Sequence, residues 1–70
     1  MRLSKAARLK PGNVIIFGDH VNTVSCSQWW RGVVLQVAPT GTITVRVIES
    51  KLNRHPSGTE VRQIPHTYIL

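Results

Sequence analysis

Residues 42–49 read TITVRVIE, and their alternation decides most of what the chain can become. Ile43, Val45 and Val47 fall on one side of an extended chain, and Thr42, Thr44 and Arg46 on the other. Successive strand side chains point to opposite faces, so a period of two describes a strand with one apolar and one polar face. The apolar face needs cover, and a chain of 70 residues has little to supply it. Many domains of this size are stapled by disulfides or a structural metal. Cys26 is the single cysteine and no Cys/His pair has zinc-finger spacing, so neither staple is expected. The core must come from Val, Ile and Leu on further strands.

Those strands can be placed from turn chemistry. KPGN precedes VIIF, which makes Val14–Phe17 a strand. GDHVNTVSCSQ is polar and reads as a loop, after which Trp29–Val37 is strand, with Val33, Leu35 and Val37 on one face and Val34 and Gln36 on the other. APTG turns the chain into the alternating strand. A second polar loop, SKLNRHPSG, leads to the strand TEVRQI. Pro65 cannot donate to a ladder, so a tight turn should separate that strand from a short last one in HTYIL. Five strands with turn signals between them and almost no helix describe an all-β fold, a small barrel over residues 11–70 whose closure removes exposed edges. Before it, residues 1–10 carry Arg2, Lys5, Arg8 and Lys10. They read as a loose basic arm with one or two helical turns, Ser4 as N-cap and Pro11 as the stop.

Charge narrows the function. Nine Lys/Arg oppose three Asp/Glu, a net charge of +6. A small basic domain attracts polyanions, and nucleic acid is the commonest of these inside cells. The N-terminal residues hold no apolar stretch of signal-peptide length and nothing later is long enough to span a membrane, so an intracellular protein without membrane insertion is expected. No Ser, His and carboxylate set has a readable relation, and the three carboxylates do not cluster as a divalent metal requires. No catalysis, cofactor or metal site is expected.

The stretch SQWWRGVV sets two aromatics side by side. On a strand Trp29 and Trp30 must point to opposite faces. If Val33, Leu35 and Val37 face inward, Arg31 would follow them into the core unless a bulge at Gly32 reverses the phase. With that bulge, Trp30 packs inside and Trp29 lies outside beside Arg31. An exposed Trp next to arginine can stack on bases, serve as a protein-contact anchor, or cover an edge of the core.

The motif order LKPGNVIIF, WWRGVV, a Thr/Val strand, then IPHTYIL resembles an SH3-like barrel. Over residues 9 to 70 it resembles most the C-terminal domain of retroelement and retroviral integrases, which shares an LKPG-like opening, a W-x-G strand start and a TVRV-like third strand. That resemblance implies a basic module that binds DNA with little sequence preference, through Lys10, Trp30, Arg31, Arg46 and Arg62. The chain departs from it in the long loop after Glu49. WWRG and IPHTY also resemble the SH3 domain proper, which implies a groove for proline-rich peptides at Trp29, Pro65 and Tyr68, though the acidic loop of that family is missing. WRGVV and HPSGTEVRQIP resemble segments of the type II dihydrofolate reductase, a tetramer of SH3-like chains, whose pore carries V-Q-I-Y where this chain reads VRQIP.

The expected function is therefore low-specificity binding of nucleic acid, DNA ahead of RNA, with Lys10, Arg31, Arg46, Lys51, Arg54 and Arg62 on phosphates and Trp29 or Trp30 stacking. The alternative is a protein-interaction or homo-oligomer surface at Trp29, Pro65 and Tyr68, and more remotely a reductase-like oligomer. Arg46 and Arg62 suit a backbone track and a solvated sheet face equally well.

Overall fold

The computed structural model describes residues 1–18, 29–50 and 56–70. Cys26, His20, Asp19, Lys51, Arg54 and His55 lie outside them. The chain is mostly β, with a short helix α1 (Leu3–Ala6), strands β1 (Val14–Phe17), β2 (Trp30–Val37), β3 (Thr42–Ser50) and β4 (Glu60–Pro65), and a closing 3-10 turn at His66–Tyr68. The four strands form one antiparallel sheet in the order β1-β2-β3-β4.

Turn chemistry fixes the connections. At Lys10–Asn13, Pro11 and Gly12 occupy the central positions, Gly12 has φ 97, and the Asn13 N–H donates to the Lys10 carbonyl at 3.0 Å. This is a type II turn, in which glycine takes the left-handed position without a Cβ clash. The Ala38–Thr42 connection closes with Gly41 at φ 89 and Ala38 N–H donating to the Thr42 carbonyl. A Cβ at Gly41 would stand 2.5 Å from Leu3 Cδ1, the movable end of an exposed side chain, so it is the positive φ that calls for glycine here.

β3 keeps its period of two: Ile43, Val45 and Val47 are fully buried, and Thr44 and Arg46 face away. Opposite them β2 also alternates, but in the other phase from the expected one. Trp30, Gly32 and Val34 point inward, while Val33, Leu35 and Val37 are only partly covered. Trp30 therefore reaches the core without any reversal at Gly32. A register shift does fall between Arg31 and Gly32, but there Arg31 pairs Glu49 and Gly32 pairs Val47, so the added residue is Ile48 on β3. A second shift near Gln36 adds Leu35 on β2 and restores the count.

Trp30 and Phe17 form the centre of the core. They are cross-strand partners with ring centroids 5.6 Å apart, and around them pack Ile15, Val34, Ile64 and Ile69. Ala6 of α1 is also fully buried. The first residues are thus no loose arm. Leu3 lies over Gly41, the Met1 amine donates to the Ile69 carbonyl, and the Met1 carbonyl accepts from His66 Nδ1 at 2.9 Å. The helix starts two positions earlier than expected, so Arg2 rather than Ser4 is its N-cap and no side chain caps it.

The last strand also differs from the expected one. The 3-10 turn consumes His66–Tyr68, which leaves Ile69 to form a single bridge to Phe17. Among the described residues four strands make up the sheet, and the expected fifth is reduced to that single bridge.

Candidate functional site

The outward face of the sheet carries the arginines singled out in the sequence. Arg31 on β2 donates through Nη1 to Glu49 Oε2 at 3.0 Å across the β2–β3 ladder. Its guanidinium carbon lies 6.0 Å from the Trp29 ring centroid, at the outer limit of a cation–π contact. Trp29 is half-buried beside it, and Trp30 is wholly enclosed and presents no surface to a base. Arg46 is exposed and faces Glu60 across the β3–β4 ladder. Arg62 Nε donates to Glu60 Oε1 at 3.2 Å. Two of the three acidic residues of the chain thus stand among these three arginines, and the face is closer to neutral than its cations alone imply. Ion pairs this exposed are worth about 0–1 kcal/mol and exchange readily with a competing anion.

The unopposed charge lies elsewhere. Arg2, Lys5, Arg8 and Lys10 are all exposed and none is in an ion pair among the described residues. They alternate in sequence with Leu3, Ala7, Leu9 and Pro11, which form one wall of an apolar groove of about 500 Å³; Leu35, Val37 and Pro39 contribute to the other. The cations thus belong to the same segment as residues that line the groove, although none of the four lines it itself. Lys10 is held in place by its own backbone, whose N–H donates to Asn13 Oδ1 at 2.8 Å.

At Gln36 and Ala38 this groove adjoins a second, polar depression of about 260 Å³, since both residues line both. Thr42, Thr44, Arg62 and Gln63 complete the second one. Sequence reading missed it, because its shape depends on bulges that leave no glycine or proline marker. A third depression, of about 200 Å³, has Trp30 and Phe17 among its lining residues together with Pro65, Tyr68 and Gln63. Pro65 and Tyr68 are thus brought together, while Trp29 is not among the residues that line it.

Among the described residues no group of three or more His, Cys, Asp or Glu is placed to hold a metal ion. Among the same residues, no helix is long and apolar enough to cross a membrane. Comparison with protein-family models, curated proteins and solved structures gave no match.

Proposed function

We propose that the chain is an SH3-like small barrel that binds nucleic acid with low sequence specificity, in the manner implied by its resemblance to integrase C-terminal domains. The observation that carries the reading is the set of Arg2, Lys5, Arg8 and Lys10, exposed, without ion pairs among the described residues, and interspersed in sequence with residues that line an apolar groove. Cations on a docked segment can follow a phosphate backbone with little ordering cost, and the apolar wall can take the faces of sugars and bases. Nothing in the sheet offers a recognition helix for the major groove, so backbone contacts dominate and specificity is low. Closure of the barrel is supported by the end of the chain, which runs back along β1: Gly18 N–H donates to the Tyr68 carbonyl and Leu70 N–H to the Ile16 carbonyl, on either side of the Phe17–Ile69 bridge.

The test is titration of the protein with labelled oligonucleotides at several salt concentrations. With the four N-terminal cations and Arg62 on phosphates, log affinity should fall with log salt at a slope of roughly −4. A flat salt response rejects the mechanism.

One observation favours a second reading. Pro65 and Tyr68 share a depression, two of the three residues of the groove implied by the SH3 resemblance, although Trp29 does not line it. Under that reading Tyr68→Ala abolishes partner binding and charge reversal at Lys5 and Arg8 leaves it intact.

A further inference from the structure

The polar depression beside Gln36 is built by two irregularities that converge on one residue, Thr44. On the β2 side, the added Leu35 is followed by the pairing of Gln36 with Thr44. On the β4 side, Ile43 pairs Ile64 and Val45 pairs Val61, so Arg62 and Gln63 together stand opposite Thr44. Such a two-against-one bulge re-aims side chains that a regular strand would send to opposite faces. Here it leaves Arg62 and Gln63 both exposed and both lining the depression.

Gln63 is held in this position against its own backbone preference. Its φ is 58, and it is the one non-glycine residue with positive φ among the described residues. Glycine takes that conformation at a bulge without the Cβ clash that a larger residue meets. Glycine would serve the bulge, but the residue here is glutamine, and its carboxamide lines the depression together with a guanidinium, two hydroxyls and a second carboxamide.

From this we propose that the depression holds one unpaired nucleotide of a single strand, and that Gln63 and Gln36 contact the base while Arg62 holds the adjoining phosphate. The proposal rests on the nucleic-acid reading above and names the form of nucleic acid that it takes. A carboxamide places an N–H donor next to a carbonyl acceptor, which matches the donor–acceptor edge of a nucleobase, and the hydroxyls of Thr42 and Thr44 fill either role. Arg62 Nε is occupied by Glu60, which orients the guanidinium and leaves its two Nη groups for a phosphate. The Glu60 carboxylate pairs with Arg62 but is not among the residues that line the depression. At about 260 Å³ it lies below the roughly 300–1,000 Å³ of pockets for drug-sized ligands, a size for one ring system. A base stacked inside a duplex cannot enter a recess in a sheet, whereas a splayed base of a single strand can. The apolar groove that adjoins at Gln36 and Ala38 carries the strand onward.

The experiment compares the full chain with its Gln63→Gly and Gln63→Asn variants, using fluorescein-labelled oligo(dA) and a duplex of the same length at low salt. Glycine and asparagine both tolerate the left-handed backbone, so both variants keep the bulge while removing or retracting the carboxamide. The unaltered chain should prefer the single strand. Each variant should lose roughly tenfold affinity for it, with duplex binding unchanged. Equal single-strand binding by variants and parent overturns the base pocket while leaving the nucleic-acid reading standing, and so does an equal loss on both forms. If the unaltered chain binds neither form, the nucleic-acid reading itself falls, and the pocket with it.

Discussion

Arg46 stands directly across the β3–β4 ladder from Glu60, yet the Glu60 carboxylate accepts its hydrogen bond from Arg62, two residues along its own strand. The carboxylate is thus paired with Arg62, while Arg46 is its neighbour across the ladder by register alone. A phosphate approaching this side of the sheet meets that carboxylate as well as the arginines. Under the proposed nucleic-acid reading, this arrangement weakens the sheet face as a general phosphate track and shifts the weight to the N-terminal cations.

Glu60→Gln should therefore strengthen nucleic-acid binding. Removing the acid releases Arg62 and unmasks Arg46, which adds about one phosphate contact and steepens the salt slope by about 1. Because the Arg62–Glu60 pair is exposed, stability should change by less than about 1 kcal/mol. Fluorescence titrations across salt concentrations read both quantities. An unchanged affinity would place the bound strand away from β4.

Charge reversal at Lys5 and Arg8 should act in the opposite direction. Both side chains are exposed and without ion pairs among the described residues, so Lys5→Glu with Arg8→Glu leaves stability within about 0.5 kcal/mol. Binding to single strand and duplex should weaken alike, and the salt slope should become shallower by about 2. A double variant that binds as the parent does would remove these cations from the interface.

The two tryptophans separate by environment, and their variants should separate as well. Trp30 is fully enclosed against Phe17, so Trp30→Ala should cost about 3–5 kcal/mol and unfold much of a domain this small. Trp29 is half-buried, and Trp29→Ala should retain a cooperative unfolding transition by circular dichroism. If Trp29→Ala unfolds the chain as Trp30→Ala does, Trp29 belongs to the core.

How far these features were readable follows from their physical range. β3 was legible because Thr42–Val47 alternate cleanly and their burial obeys that period. The inward face of β2 was misread because Val33, Val34 and Leu35 are all apolar, and such a run contains no phase; Trp30 and Val34 are chosen by packing against Phe17 and Val45. The docking of residues 1–10 rests on burial of Ala6 and on the Met1 contacts with Ile69 and His66, long-range contacts that local propensity does not encode. The polar depression was hidden for a similar reason. Gln36, Thr44 and Gln63 are unremarkable in sequence and converge only through register shifts in two ladders.

Gly32 provides the most direct test of how β2 sits on β3. It points inward between Trp30 and Val34, and a Cβ there would lie 2.9 Å from Val45 Cγ2 and 3.1 Å from the Arg46 carbonyl oxygen. Val45 is fully buried and the second contact is backbone, so neither can move without displacing the core or the ladder. Gly32→Ala should therefore destabilise the fold by about 1–3 kcal/mol, the usual cost of overpacking. Leu35→Ala on the same strand, at the partly covered bulge position, supplies the contrast, because its loss leaves the central core intact. Urea unfolding of both variants decides the matter. If Gly32→Ala is tolerated and Leu35→Ala is the more costly, β2 presents its other face to the core.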